Sequence, residues 1–362
     1  MSVRPPTLAE LGWDDFFAGP YAPYSDQGLV PGRVMRELKG VYALETGAGE
    51  LTASPAGRLW HGEDGKEAVG APAVGDWVAV RPPASSGEPG LIRAVLPRRS
   101  KFSRKAAGSR TDEQVVAANV DTVFLMMGLD RDFNPRRIER YLAAGWESGA
   151  EPVLVLSKAD VADDLGARVE EVEAIALGVP VLPVSARTGA GIASLAPWLR
   201  PGRTVTVLGS SGVGKSTLIN HLIGTDIQRT AAVRASDDRG RHTTTHRALL
   251  LTPSGALLLD TPGMRELQLW EADEGLGAAF ADIEEMAAGC RFRDCAHEET
   301  PGCAVTAAVA AGGLDPSRLA SYRKLQRELR QVRVKQDELS RLREKQRIKA
   351  LVKAADRFRP RR

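Results

Sequence analysis

The stretch LGSSGVGKSTLIN, residues 208–220, decides the fold of this chain. It contains the pattern Gly209-x4-Gly214-Lys215-Ser216, which is typical of a phosphate-binding loop between a strand and a helix. Glycines allow the backbone N–H groups of such a loop to approach phosphate oxygens closely. The loop usually follows the first strand of its domain, yet here about 200 residues precede it. We therefore ask whether the order of elements in this domain has been rearranged.

The sequence around this loop alternates between apolar strands and helices. This alternation is typical of a parallel sheet covered by helices, in an α/β domain. The predicted strands are residues 121–128, 152–160, 180–186 and 204–209, and the predicted helices are residues 134–149, 165–178, 191–199 and 214–224. Two further strands follow within residues 248–260, with a turn at Pro253-Ser254-Gly255.

Several residues are expected to contact the phosphates and their Mg²⁺. Lys215 is predicted to reach the β- and γ-phosphates, as a catalytic contact, and the Ser216 hydroxyl to bind Mg²⁺. Asp260 ends an apolar strand and begins DTPG, so that it can hold Mg²⁺ through water, while the Gly263 N–H can meet the γ-phosphate. The predicted contacts of the loop itself are Gly209, Ser210, Ser211, Gly212, Val213, Gly214, Lys215, Ser216 and Thr217.

Two short elements before the loop indicate that the base is guanine. Ser157-Lys158-Ala159-Asp160 resembles the guanine-reading element of GTPases, with serine where asparagine or threonine is usual. A carboxylate at Asp160 can accept two hydrogen bonds from guanine, a pair that adenine does not supply. Ser185-Ala186-Arg187-Thr188-Gly189 matches the second element, in which the Ala186 N–H meets the base oxygen.

The polar run DDRGRHTTTHRA, residues 237–248, is predicted to be a switch. We expect Thr244 to bind Mg²⁺ when the γ-phosphate is present, with Thr245 as the alternative. Met264 follows Gly263, and a methionine cannot orient the attacking water as the glutamine of Ras-like enzymes does. His242 is the candidate catalytic residue for that step, and an exposed histidine without a role is the alternative.

The order of these motifs answers the opening question. A Ras-like GTPase begins with the phosphate loop and ends with the guanine-reading elements. Here the guanine-reading elements come first, at residues 157 and 185, and the phosphate loop, the switch and DTPG follow. This order predicts a circularly permuted P-loop GTPase domain.

All three cysteines lie close together near the C-terminus, in a cluster with one histidine. Three thiolates and an imidazole suit tetrahedral Zn²⁺, and four protein ligands predict a structural site. Three buried free cysteines are the alternative. The predicted zinc ligands are Cys290, Cys295, His297 and Cys303.

The N-terminal part is predicted to be a small β-barrel. Residues 31–98 contain short strands, GRVMREL, GVYALET, GRLWHG, GDWVAV and LIRAVLP, separated by turn residues, which favours an OB-fold over an SH3-like barrel. Residues 1–30 are interpreted as an extension. The basic residues 97–110 are either a phosphate contact or a plain linker.

The permuted order, GSSGVGKSTLIN, GRHTTTH, DTPGMREL and the cysteine cluster together resemble the RsgA (YjeQ) family of circularly permuted GTPases. The resemblance covers about residues 31–340. It implies a multidomain chain with an OB-fold, a central GTPase domain and a C-terminal helical zinc-binding domain. It also implies GTP hydrolysis stimulated by the small (30S) ribosomal subunit, with a role in late maturation of that subunit, and it points to His242.

Charge and composition agree with this interpretation. Residues 317–362 carry 17 lysines and arginines against 5 acidic residues, a net charge of +12 within a total of +3, which favours a polyanionic partner such as rRNA. No apolar run is long enough to span a membrane and no signal peptide is evident, so we expect a cytoplasmic protein. We also expect it to be a monomer. The expected domains are residues 1–30, 31–110, 111–275 and 276–362.

Three alternatives remain open at this point. One is a nucleotide-gated RNA-binding module with negligible catalysis, which Met264 favours. Another is a permuted GTPase of large-subunit assembly, which the barrel and the cysteine cluster disfavour. The third is an ATPase, which Asp160 disfavours.

Overall fold

The structure is a computed structural model. It describes residues 4–38, 40–57, 71–85, 87–105, 113–224, 247–260, 273–298, 300–331 and 334. Within these ranges no helix combines the length and the apolar character that crossing a membrane requires.

The N-terminal segment packs on the barrel that follows it. Helix α1 (Asp15–Ser25) begins after Asp14, whose carboxylate accepts the backbone N–H of Phe16. The ring of Trp13 lies 4.8 Å from the ring of Trp77, measured between centroids, and Phe17 is buried beside them. The aromatic residues of this segment thus order it against the barrel.

Five strands form the barrel. They are β1 (Val30–Leu38), β2 (Val41–Thr46), β3 (Gly49–Pro55), β4 (Trp77–Arg81) and β5 (Gly90–Val95). Their order is β1-β2-β3-β5-β4, and β4 also pairs with β1, which closes the barrel. This confirms the predicted OB-fold. Strand β3 was not predicted from the sequence. The predicted strand GRLWHG lies almost wholly outside the described residues and stays a prediction.

A two-stranded sheet follows the barrel. Strand β6 (Lys101–Lys105) pairs with β7 (Glu113–Ala118), so the basic stretch is in part a strand and not the plain linker of the sequence interpretation. Phe102 is buried between exposed or half-exposed neighbours, which is the alternation of a half-buried strand. The expected domain boundary at residue 110 falls in the connection between these two strands.

The central domain is the predicted α/β sheet. Its strands are β8 (Thr122–Gly128), β9 (Glu151–Ser157), β10 (Val181–Pro183), β11 (Thr204–Gly209), β12 (Ala248–Leu251) and β13 (Leu257–Asp260). Their order is β10-β9-β8-β11-β13-β12, and only β12 runs antiparallel. The helices that cover the sheet include α2 (Pro135–Glu147), α3 (Leu165–Glu173) and α4 (Lys215–Ile223).

Strand β8 shows why the sequence contains an uninterrupted apolar run. Leu125 and Met127 point into the core on one face of the sheet, and Phe124 and Met126 into the core on the other. Alternate side chains are therefore all buried, as expected for a strand with helices on both faces.

One predicted helix is shorter and tighter than expected. Residues Ile192–Trp198 form a 3₁₀ helix. Pro197 lies inside it and has no backbone N–H to donate, which disfavours a continued α-helix.

A buried arginine joins the barrel to the α/β domain. Arg33 of β1 donates to the Leu11 and Asn119 carbonyls and to Thr204 Oγ1, each at 3.0 Å. Burial lowers the pKa of Arg33 to about 10, so it remains charged at neutral pH. Beside this contact, Arg36 of β1 pairs with Ala248 of β12 and links the two sheets.

The C-terminal region is helical, as predicted. It contains α5 (Asp273–Ala279), α6 (Ala281–Ala287), α7 (Ala304–Ala310) and α8, which covers residues 316–331. Helix α8 begins at the predicted Asp315-Pro316 and buries Leu319, Tyr322, Leu325 and Leu329. Arg318 of α8 reaches Glu139 of α2 at 3.1 Å and Asp282 of α6 at 2.7 Å, which fixes these helices to the α/β domain.

Candidate nucleotide site and metal centre

The carboxyl ends of the parallel strands meet at one edge of the sheet. Strand β9 ends at Ser157, β11 at Gly209 and β13 at Asp260. Ligands of open α/β sheets bind at this edge, in the crevice outside the strand ends. The topology therefore brings the predicted guanine-reading and phosphate-binding residues together.

The phosphate loop has the backbone that its glycines predict. Gly212 and Gly214 have φ values of 78° and 100°, and helix α4 begins immediately after Gly214. A Cβ at Gly209 would lie 2.6 Å from the Met126 carbonyl oxygen, so only glycine fits there. The loop thus leads into a helix N-terminus, which favours binding of an anion.

Side chains of the phosphate loop itself stabilise its conformation. Lys215 Nζ donates to the Gly209 carbonyl at 2.7 Å and also to the Ser210 carbonyl. The side chain of Val213, a residue of this loop, is buried. Ser211 is exposed, while Ser216 and Thr217 lie in the first turn of α4. All nine predicted loop residues therefore lie at this strand end, and their contacts with phosphate stay a prediction.

The first guanine-reading element contacts the phosphate loop directly. The Ser157 hydroxyl donates to the Val213 carbonyl at 2.6 Å. A serine thus braces the loop in the position where asparagine or threonine is usual. Lys158, the next residue, has a left-handed backbone with φ of 59°.

Asp160, in the first predicted guanine-reading element, contacts residues of the second. Its Oδ1 accepts from Ser185 Oγ at 2.5 Å, and its Oδ2 accepts from Arg187 Nε at 2.9 Å and from a terminal nitrogen of the same arginine. These bonds, that of Ser185 above all, hold the pKa of the Asp160 carboxyl below its ordinary value. Asp160 is therefore a carboxylate at neutral pH. The carbonyl of the adjacent Ala186 lies 2.5 Å from His221 Nε2 of α4.

Asp260 is the part of the predicted Mg²⁺ site that the structure describes. Burial at the end of β13 raises the pKa of this carboxyl. The predicted Thr244 and its alternative Thr245, together with His242, Gly263 and Met264, lie outside the described residues.

The cysteine cluster is a candidate metal centre. Cys290 Sγ lies 3.9 Å from Cys303 Sγ, and each of these sulfurs lies 3.6 Å from His297 Nδ1. With Cys295 Sγ included, all four ligand atoms lie within 4.8 Å of one another. Tetrahedral Zn²⁺, with bonds of about 2.3 Å to sulfur and about 2.0 Å to nitrogen, separates two sulfurs by about 3.8 Å and sulfur from nitrogen by about 3.5 Å. The four residues fit such an ion.

The surroundings of the cluster favour the charged form of one ligand. Burial acts to raise the pKa of the Cys303 thiol, but hydrogen bonds from Thr306 and His297 outweigh it and lower that pKa to about 6. The thiolate is the form that binds a metal. The His297 backbone has φ of 54° and its side chain is buried between the cysteines.

Known proteins similar to this chain share one description. A family model described as RsgA GTPase matches residues 95–270. The small ribosomal subunit biogenesis GTPase RsgA of Opitutus terrae is 54% identical over 330 residues, which cover 89% of this chain and 89% of that protein. The protein of the same name from Streptomyces coelicolor is 46% identical over 333 residues, covering 91% and 88%. This chain belongs to the RsgA GTPase family.

Solved structures confirm the fold. The crystal structure of YjeQ from Thermotoga maritima matches with a TM-score of 0.61 at 27% identity and covers 83% of this chain and 98% of that one. The structure of YloQ, described as a circularly permuted GTPase, matches with a TM-score of 0.60 at 23% identity and covers 84% and 96%. These matches confirm the prediction, made from the order of the motifs, that this RsgA family member has a circularly permuted GTPase fold.

Sequence reasoning missed four side chains of this RsgA site. They are Asp130 and Asp132 in the loop after β8, Arg187 beside Asp160, and His221 in α4. The two aspartates could have been predicted from the sequence, because they lie in a polar loop after a buried parallel strand. Such a loop lies at the edge of the sheet where ligands bind. Arg187 and His221 could not have been predicted, because their contacts depend on how α4 and the loop after β10 pack.

Proposed function

We propose that this protein is a GTPase of small-subunit biogenesis. It binds the small (30S) ribosomal subunit, hydrolyses GTP to GDP and phosphate when that subunit stimulates it, and assists late assembly of the subunit and maturation of its rRNA. The names of relatives that align over most of the chain support this proposal. The observation that carries its chemical part is the meeting of Asp160, Ser157 and the phosphate loop at one sheet edge.

In this proposal one group of described residues binds the guanine base of GTP and another binds its phosphates. Asp160 accepts the hydrogen bonds of the guanine N1–H and N2–H groups, and the aliphatic part of Lys158 covers the base. The Ala186 N–H meets the base oxygen. The backbone of residues 209–217, with Lys215, holds the phosphates.

Ser216 and Asp260 are the described residues that suit Mg²⁺, since hydroxyl and carboxylate oxygens are its usual protein ligands. When bound with GTP, Mg²⁺ neutralises charge on the β- and γ-phosphate oxygens. We propose Thr244 as the third ligand, with the Gly263 N–H on the γ-phosphate.

Hydrolysis then needs a group that orients water, and we propose His242 for that role because Met264 cannot perform it. The segment after Gly263 leads within 27 residues to Cys290, so the state of the γ-phosphate can bias the orientation of the zinc domain. Docking on rRNA would order the switch and bring His242 to the reaction. Hydrolysis without the ribosome is accordingly expected to be slow.

We further propose that Zn²⁺ is structural and that it folds residues 276–315 around Cys290, Cys295, His297 and Cys303. The basic residues beyond 317 and the barrel supply contacts with rRNA phosphates, which makes binding strongly dependent on salt. The protein acts in the cytoplasm as a monomer.

Multiple-turnover phosphate release tests this proposal, measured from GTP and from ATP, alone and with each ribosomal subunit. We expect release from GTP only, and a severalfold rise with the small subunit but not with the large one. Equal rates with and without small subunits would contradict it. Stimulation by the large subunit alone would favour the large-subunit alternative, and tight GTP binding without turnover would favour an RNA-binding module gated by nucleotide.

A further inference from the structure

Two aspartates outside the nucleotide motifs lie between the two halves of the proposed site. They belong to residues 129–133, the loop between β8 and Asn134, and Asn134 caps α2. In the sheet, β8 lies between β9, which leads to Lys158, and β11, which leads to the phosphate loop. Because all three strands are parallel, this loop emerges between the base-reading and phosphate-binding loops.

The first carboxylate, Asp130, contacts the base-reading loop. Its Oδ2 accepts from Lys158 Nζ at 2.5 Å. The hydrogen bond from Lys158 is the largest of the causes that hold the pKa of Asp130 below its ordinary value. Asp130 therefore fixes the position of the Lys158 ammonium group. The aliphatic part of the lysine is then free to pack on the guanine base.

The second carboxylate, Asp132, contacts the phosphate loop. Its Oδ2 accepts from Ser210 Oγ at 2.5 Å and from a terminal nitrogen of Arg137 at 2.7 Å. Since Lys215 binds the carbonyl of the same serine, Ser210 is held on two sides. Arg137 lies in the first turns of α2, so this contact also anchors the loop to a helix.

The two carboxylates are connected to each other. The backbone N–H of Asp132 donates to Asp130 Oδ1 at 3.2 Å, and the Phe133 N–H donates to the Asp130 carbonyl at 3.0 Å. The resulting turn fixes the separation of the two side chains.

We infer that Asp130 and Asp132 are positioning residues that set the spacing between base recognition and phosphate binding. Asp130 acts through Lys158 on the guanine base, and Asp132 acts through Ser210 on the β-phosphate. This inference rests on the proposed function. The side chains of Asp130 and Lys158 are 32% and 33% exposed, so we expect the effect in ligand affinity and little in stability.

Competition against fluorescent GDP tests the division of roles, with GMP and GDP as the competing ligands. Asp130→Ala is expected to weaken GMP and GDP alike, by about fivefold, because both contain the base. Asp132→Ala is expected to weaken GDP by about fivefold and to leave GMP unchanged, because GMP has no β-phosphate. Asp164→Ala is the control: Asp164 caps α3 through the Ala167 N–H, so its loss costs stability but should leave both affinities unchanged.

Two further variants separate positioning from a general structural role. If Asp132 acts through Ser210, the double variant Asp132→Ala with Ser210→Ala should bind GDP no more weakly than Ser210→Ala alone. Asp132→Asn keeps an oxygen that accepts from Ser210 and should recover most of the affinity that Asp132→Ala loses. If Asp132→Ala fails to fold, Ser210→Ala removes the same hydrogen bond and serves as the test, and it is expected to weaken GDP but not GMP.

The outcomes distinguish this inference from the function on which it rests. Wild-type affinity in both aspartate variants, or equal losses for GMP and GDP in Asp132→Ala, would overturn the inference. A wild-type protein that does not prefer GDP to ADP would instead contradict the proposed function. The predicted split between GMP and GDP supports both.

Discussion

Ser157 connects two segments that lie more than 50 residues apart in the chain. Its hydroxyl donates to the Val213 carbonyl at 2.6 Å and lies 3.3 Å from the Met127 carbonyl. The sequence predicted its place in the guanine-reading element, since SKAD follows a buried strand. It did not predict which carbonyls a serine reaches, because one belongs to the neighbouring strand β8 and the other to the distant phosphate loop. The same holds for Arg187, whose contact with Asp160 depends on the turn after β10.

Replacing Asp260 by asparagine is expected to raise the thermal stability of the protein and to lower its GTPase activity. Burial raises the pKa of this carboxyl above its ordinary 3.8, so the native state holds the proton more tightly than the unfolded state and the carboxylate form costs stability at neutral pH. Asp260→Asn should therefore raise the Tm of the nucleotide-free protein at pH 7 by about 2 °C and impair GTP hydrolysis with Mg²⁺.

The pH dependence provides the control for this prediction. The gain in Tm should shrink as the pH falls through the raised pKa, because the wild-type carboxyl then becomes neutral as well. Thermal unfolding at a series of pH values measures it. A variant that is less stable than the wild type at pH 7 would show that burial of the charge is not the dominant effect.

Helix α2 contacts a loop of the candidate nucleotide site and two helices of the C-terminal region. Its first turns hold the loop of Asp130 and Asp132 through Arg137, and its side chain Glu139 meets Arg318 of α8. Helix α5 packs against its C-terminal half at very short range. A Cβ at Gly275 would lie 2.2 Å from the Ala143 carbonyl oxygen, so the contact requires glycine.

Two alanine substitutions in α5 test this packing as a matched pair. Gly275→Ala should destabilise the protein by about 2 kcal/mol, because backbone must move to admit the methyl group. Gly277→Ala lies in the same helix, and a Cβ there meets nothing within 4 Å. That variant should be neutral or more stable by up to about 1 kcal/mol, from helix propensity alone. Denaturant unfolding compares them, and equal effects would rule out the close approach.

The metal centre gives a second test at this scale. Purified protein should contain about one zinc ion per chain, and a strong chelator should lower the Tm of the C-terminal helices. Added Zn²⁺ should restore it, whereas Mg²⁺ should not, because thiolates disfavour hard cations. Protein that contains no zinc, together with a Cys290→Ala variant as stable as the wild type, would exclude the site.

Elements with strong local patterns were predicted from the sequence, and elements that depend on distant pairing were not. Strand β8 and helix α8 follow from apolar periodicity, and the α4 N-terminus follows from the phosphate-loop pattern. Strand β3 was missed because GELTASP has few apolar residues, and it gains its place by pairing with β2 and β5 in the closed barrel. The pair β6 and β7 was missed because the basic residues of 97–110, which include β6, suggested a phosphate contact or a linker and not a strand.

At the scale of the whole molecule, the permutation places the predicted base-reading residues before the predicted phosphate-binding loop in the chain. The sheet order β9-β8-β11 then brings both together in space, with the loop after β8 between them. The barrel joins this domain through the buried Arg33, and the C-terminal helices join it through Arg318. Nucleotide site, barrel and metal centre are thus all connected to one α/β sheet.

The central claim is that residues 157–160 and 209–217 form one site for guanine nucleotides, and Asp160→Asn tests it most directly. An amide donates where the carboxylate accepted, so the variant should lose at least about 100-fold in affinity for GDP and gain affinity for xanthosine diphosphate, whose C2 carbonyl accepts that bond. Asp164→Asn, which leaves the nucleotide site intact, should bind GDP as the wild type does. Equilibrium binding of the two nucleotides to wild type and both variants decides the matter. We expect a reversal of base preference in Asp160→Asn alone, and unchanged GDP affinity in that variant would contradict a guanine site at these residues.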